Sequence, residues 1–190
     1  MSSNFINTIQ QAIDESYHLK RDGKRWILEE GNPPTEIRVP SRLSIAFSLD
    51  KKDAEPFAFF SNNPPKDFAK VCDAILFCCS EDRIYLFIIE AKTGYKGDYK
   101  KQLINGKLFC DWLIALYTQH KSSLDPSPTI IPLLIWKPRL NSVRKGTTTH
   151  HESDDSIKKT QLDQFDGPGF EIKNRNSIVI FELVSELRNI

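Results

Sequence analysis

The sequence predicts an α/β fold in which a mixed central β-sheet is flanked by helices. Three observations carry this. Val71–Phe77 and Leu86–Lys92 are two apolar runs separated by a short polar turn, the pattern of a β-hairpin. Tyr99 to about His120 repeats apolar residues at helical spacing. Thr129–Trp136 is a continuous apolar run of strand length, consistent with burial on both faces. Helices beside a mixed sheet fit this order of elements.

The elements follow in chain order. Residues 4–20 read as an amphipathic helix, with Phe5, Ile9, Ile13 and Tyr17 recurring at i+4 and Ser2 or Ser3 as N-cap. Trp26–Leu28 starts a strand that Gly31-Asn32-Pro33-Pro34 stops. Glu36–Leu49 alternates loosely, and Pro40 makes it an edge strand or two short ones. Phe57–Phe60 is a further short apolar run, closed by Asn62-Asn63-Pro64-Pro65. Tyr95–Asp98 is a basic connection into the helix 99–120, whose apolar face is read as Leu103, Ile104, Leu108, Trp112, Ala115 and Leu116. Gly106 costs that helix about 1 kcal/mol relative to alanine, which close packing on the sheet would explain. Residues 137–160 are polar and read as an exposed, mobile loop. Ser177–Val184 is a final strand, followed by a tail or a turn of helix.

The 190 residues fit one domain, 1–190, and neither composition nor charge is unusual. A net charge of +1 gives no global pull toward nucleic acid, so any such surface must be local. No stretch approaches the roughly 20 apolar residues of a membrane span, and the N-terminus lacks signal-peptide character; a cytoplasmic location and no membrane partner are expected. Cys72, Cys78, Cys79 and Cys110 lack zinc-ligand spacing and read as buried thiols in a reducing compartment. His150-His151 lies beside acidic residues in the polar loop, where the composition favours an unstructured segment over a metal site.

The hairpin carries a chemical problem. Strand side chains alternate faces, so Glu90 and Lys92 share one. With the turn on Glu81-Asp82, Ser80 faces Arg83, and counting back sets Asp73 opposite Glu90. Opposed Cβ atoms lie about 4.5–5.5 Å apart. Two carboxylates that close repel, and more so in an apolar setting. A divalent cation would remove the repulsion.

Asp73 followed by Glu90-Ala91-Lys92, and then by a helix opening Tyr99-Lys100-Lys101-Gln102, resembles the PD-(D/E)XK nuclease superfamily over about residues 67–117. Cys72 stands where many members carry proline. The resemblance implies a restriction-endonuclease-like core of order αβββαβ, with the motif core at about 67–136. It implies a phosphodiester hydrolase using Mg²⁺, with Mn²⁺ as substitute. Asp73 and Glu90 would be metal ligands with the Ala91 carbonyl, and Lys92 would orient water or neutralise developing phosphate charge. It further suggests Gln102 as a polar residue beside the site and Glu15, on the first helix, as an additional metal carboxylate. Two basic groups flank the carboxylates: Lys96, Lys100, Lys101 and Lys107, facing only Asp98 in sequence, and Arg139, Arg144 and Lys145 beyond Lys137. They are the candidate nucleic-acid track, with Tyr95 and Tyr99 available for stacking.

The expected activity is a DNA endonuclease of restriction, repair or anti-phage defence, acting as a homodimer or with a larger protein partner. The alternative is a nuclease-fold subunit that binds nucleic acid or docks on a partner with weak or no cleavage. An exposed apolar patch outside the cleft would favour that alternative. An exonuclease or RNA-directed enzyme with the same three residues is a third possibility.

Overall fold

The computed structural model describes residues 2–30, 33–50, 65, 67–120, 127–138 and 156–188. Helix α1 is Ser2–Ala12. Phe5, Ile6 and Ile9 are its buried side chains. It ends well before residue 20. Asp14 accepts a hydrogen bond from the Ser16 amide and caps a short 3₁₀ turn, Glu15–Tyr17. This is the local competition that makes aspartate a helix breaker. Beyond it the Leu19 amide donates to the Ala46 carbonyl and the Ser48 amide to the Tyr17 carbonyl. The chain leaves the helix because a sheet edge offers its backbone better partners.

Two mixed sheets form rather than one. The smaller contains β1 (Lys20–Asp22), β2 (Arg25–Leu28), β3 (Thr35–Arg38) and β10 (Ser177–Val179), in the order β1-β2-β3-β10. The larger contains β4 (Ser44–Phe47), β5 (Ala74–Ser80), β6 (Arg83–Thr93), β7 (Thr129–Lys137), β8 (Ser156–Thr160) and β9 (Gly169–Lys173), in the order β4-β5-β6-β7-β9-β8. The stretch 36–49 therefore resolves into two short strands on different sheets, β3 and β4, on either side of Pro40. Strands β4, β5 and β6 pair antiparallel, and β7 runs parallel to β6. Parallel neighbours need a long crossover, and helix α2 (Tyr99–His120) supplies it with the bounds the sequence predicts.

The β5–β6 turn is two residues long, with Ser80 opposite Arg83. Glu81 and Asp82 both adopt left-handed backbone, at φ 49° and 60°. Two such residues make the turn whose twist matches that of the flanking strands.

Phe77 lies opposite Leu86, so Phe77, Leu86 and Ile88 share a face. The Phe5 ring meets Phe77 edge-on at 5.4 Å and Tyr117 of α2 at 4.8 Å. A Cβ on Gly106 would fall 2.7 Å from Ile88 Cγ2 and 2.6 Å from Cys72 Sγ. Both α1 and α2 therefore cover this face, and Gly106 is what lets α2 approach it. The buried stripe of α2 is Leu103, Gly106, Cys110, Leu113 and Tyr117. This corrects the predicted apolar face. Leu108, Trp112 and Leu116 form a second stripe that is exposed, because the small residues Gly106 and Cys110 seat the helix on the other side.

Residues 156–160 form a strand rather than part of a loop, and 169–173 form another for which the sequence reading assigns no element. Strand β8 carries Lys158 and Lys159 and lies at the sheet edge, a composition suited to unpaired edges. Strand β9 buries Phe170 and Ile172 at strand spacing. Gly169 is required there, since its Cβ would come within 2.7 Å of Pro132. The final strand stops at Val179, and helix α3 (Ile180–Arg188) begins, burying Ile180, Leu183 and Val184. The run 57–60 lies outside the described residues. Among the described residues no helix is long and apolar enough to cross a membrane.

Candidate functional site

Strand β6 is buried from Ile84 to Glu90 and half-exposed at Ala91 and Lys92. The apolar run thus ends on a fully buried carboxylate. The β5–β6 register runs from Ser80↔Arg83 to Ala74↔Ile89. One residue further it sets Asp73 opposite Glu90, as the sequence predicts. The Ala91 amide donates to Asp73 Oδ2 at 2.6 Å, which fastens the Asp73 carboxylate across the two strands.

Glu90 is 0% exposed and Asp73 6%. The Lys92 ammonium forms an ion pair with Glu90 Oε1. Neither Glu90 oxygen accepts a hydrogen bond of regular geometry. Burial pushes the Glu90 carboxyl up to about 8, with the Asp73 charge adding to the effect and Lys92 opposing it. Burial likewise pushes Asp73 up to about 6, against the Ala91 hydrogen bond and Lys92; Glu30 and Asp50 push it further up. Two buried carboxylates thus stand opposite each other with one ammonium paired to Glu90, and burial with their mutual repulsion favours a proton retained on the pair.

The polar start of α2 holds the segment that leads into Asp73. Gln102 Nε2 donates to the Val71 carbonyl at 3.2 Å. Asn105 Nδ2 donates to the carbonyls of Asp67 and Lys70. Lys101 pairs with Asp67 at 2.6 Å. Lys101 and then Lys70 hold the Asp67 carboxyl down at about 2. Gln102 is thus placed one segment away from the carboxylates, on the backbone before Asp73.

Three of the four lysines in the first basic group are paired within the chain. Lys96 pairs with Glu171 at 2.6 Å and lies over the Trp136 ring. Lys101 is taken by Asp67, and Lys107 by Asp111 at 2.7 Å. Asp98 is therefore not the group's sole counter-charge. Folding brings Asp67 and Glu171 to it, and sequence spacing conceals both. Lys100 is exposed, with no ion pair among the described residues. Arg139, Arg144 and Lys145 lie outside the described residues, as does His150-His151.

Glu15 is not brought to the pair. It lies on the exposed 3₁₀ turn and lines a groove with Asn7, Gln10 and Asp14. The acidic residues nearest in effect are ones that motif reasoning missed, Glu30 after β2 and Asp50 after β4. They line a cleft of about 250 Å³ with Asp73. Only three-dimensional pairing reveals them, since neither stands at a recognisable spacing from Asp73. Among the described residues no three His, Cys, Asp or Glu side chains come together as a metal-holding group. The four cysteines are free and buried. Burial pushes the Cys72, Cys78 and Cys110 thiols up, Cys78 to about 12, which removes them as nucleophiles. Comparison with family models, with curated proteins and with solved structures gives no match.

Proposed function

We propose that the chain is a metal-dependent nuclease of the PD-(D/E)XK type, hydrolysing phosphodiester bonds and acting on DNA as an endonuclease in the cytoplasm. One observation carries the reading: Glu90 is fully buried opposite Asp73, and neither of its oxygens has a regular hydrogen-bond donor. Such an arrangement costs stability unless a cation completes it. The order α1, β4, β5, β6, α2, β7, antiparallel and then parallel, supports a restriction-endonuclease-like core, with the small sheet as an addition.

The donor set fits a hard divalent ion. Asp73 and Glu90 supply carboxylate oxygens and Ala91 a carbonyl, the chemistry Mg²⁺ and Mn²⁺ prefer. Bound there, Mg²⁺ supplies an activated water and polarises the phosphate. The Ala91 amide keeps Asp73 oriented toward β6. Lys92 is two residues from Glu90 on the same face, so its ammonium can meet charge that develops on the phosphate. Gln102 acts as a positioning residue through Val71.

The test is incubation with supercoiled plasmid and Mg²⁺ or Mn²⁺, beside Asp73→Ala and Lys92→Ala. Nicking by the wild type alone is expected. Equal nicking by all three proteins would remove the assignment.

One observation favours a second reading, a nuclease-fold subunit that docks on a protein partner. Leu108, Trp112 and Leu116 are 61%, 56% and 37% exposed and stand at i, i+4 and i+8 on α2. A plasmid left intact by every variant, with duplex binding retained, would favour that reading.

A further inference from the structure

A second cavity, of about 160 Å³, adjoins the carboxylate pair at Ala91 and Lys92. Its polar lining is of opposite character. Lys92, Lys137, Thr35 and Thr93 contribute to it, and Glu30 is its carboxylate among the described residues. Glu30 is exposed and lines the Asp73 cleft as well.

Thr35 is the unusual member. It lies opposite Leu28 in the β2–β3 pair and is 0% exposed, yet its hydroxyl has no hydrogen-bond partner. A buried hydroxyl without a partner costs the fold and asks for an explanation. Packing does not need it, because valine has nearly the same shape and suits a strand as well. Lys137 ends β7 and gives one donor to the Pro33 carbonyl at 2.7 Å. An ammonium has three donors, so two remain for a ligand. Thr93 adds a second hydroxyl at the exposed end of β6. The volume equals about five water molecules in liquid, enough for a tetrahedral oxyanion with some of its hydration. Lys92 is paired with Glu90, so Lys137 brings the cavity's positive charge without an ion pair among the described residues, and with the two hydroxyls it offers hydrogen-bond donors suited to an anion.

We propose that this cavity is a phosphate-binding subsite, in which Thr35, Thr93 and Lys137 hold a backbone phosphate of a nucleic acid beside the one that Lys92 faces. The identity of the ligand rests on the nuclease reading; the subsite is tested without cleavage.

Binding of a fluorescein-labelled DNA duplex is measured by anisotropy in EDTA over a series of salt concentrations. The proteins are wild type, Thr35→Val, Lys137→Ala and, as a lysine outside the cavity, Lys100→Ala. Lys137→Ala is expected to weaken binding about 10-fold and to lower the salt slope by about 1. Thr35→Val is expected to melt higher than wild type, because the orphaned hydroxyl is gone, and yet to bind about 3- to 10-fold more weakly. That combination separates a ligand-binding hydroxyl from a packing defect.

Unchanged affinity and slope in Lys137→Ala would overturn the subsite. So would a Thr35→Val protein that gains stability at no cost in binding, or a wild type that binds no duplex. If Thr35→Val does not fold, the Lys137→Ala slope decides alone. Plasmid cleavage is scored in parallel with Mg²⁺. Absent cleavage with the expected anisotropy pattern would sink the nuclease reading and leave the subsite standing; cleavage with flat anisotropy would sink the subsite alone.

Discussion

Replacing Glu90 by glutamine is expected to stabilise the metal-free protein at alkaline pH. The folded Glu90 carboxyl is pushed from 4.5 to about 8, chiefly by burial. Between those values the native chain keeps a proton that the unfolded chain has released. The unfolded state binds fewer protons there, so stability falls as pH rises through this window. Asp73, raised from 3.8 to about 6, contributes with the same sign at lower pH. At 1.36 kcal/mol per pH unit, the Glu90 displacement corresponds to about 5 kcal/mol as a ceiling. Glutamine does not recover all of it, because a buried amide without partners still costs about 1–3 kcal/mol. A net gain of about 2 kcal/mol at pH 9 follows, or about 4–8 °C in melting temperature for a chain of this size. Below pH 4.5 the gain disappears, since wild-type Glu90 is then neutral in both states. Thermal melts in EDTA at pH 4, 6.5 and 9 give the result directly. A Glu90→Gln protein that melts at or below wild type at pH 9, or a wild type that gains stability between pH 5 and 8, would refute the reasoning.

Mg²⁺ is expected to raise the wild-type melting point above pH 7 by the equivalent of about 2.7 kcal/mol at a hundredfold excess over its dissociation constant, and to leave Asp73→Asn unchanged; calorimetry across a Mg²⁺ series checks both. Gly106→Ala is expected to destabilise by about 1–3 kcal/mol through overpacking against Cys72 and Ile88, which outweighs its gain in helix propensity of about 1 kcal/mol. Urea denaturation would show the opposite sign if α2 stood away from the sheet. Lys96→Ala is expected to lower stability by about 1–2 kcal/mol, because it leaves Glu171 short of its partner and uncovers Trp136, while shifting duplex affinity less than Lys137→Ala does; anisotropy and melting on one preparation decide.

The parts legible in the sequence are those set by strong local pattern. The β5–β6 hairpin was readable because its turn has two residues and its strands are apolar, so counting residues fixed Asp73 against Glu90. The bounds of α2 and β7 followed from periodicity and flanking breakers. The first helix is shorter than its pattern predicts: Ile13 and Tyr17 keep its period, whereas capping by Asp14 and the backbone partners offered by Ala46 and Ser48 end it. Strand β8 carries no apolar run, since an edge strand with lysines needs only backbone partners. At the site, Asp73, Glu90 and Lys92 came from spacing, while Glu30, Asp50 and Thr35 reach it from separate strand ends. Ion pairs formed at long range, Lys96 with Glu171 and Lys101 with Asp67, likewise give two lysines of the first basic group partners that sequence spacing conceals.

On the proposed reading, Asp73 and Glu90 are held together for a cation. Anomalous scattering from a crystal soaked in Mn²⁺ tests it most directly. One peak is expected, bounded by the Asp73 and Glu90 carboxylates and the Ala91 carbonyl at about 2.0–2.6 Å as oxygen ligands require, and no such peak in Asp73→Asn. Wild-type crystals with no density there, and Lys92 still paired to Glu90 at saturating Mn²⁺, would contradict it.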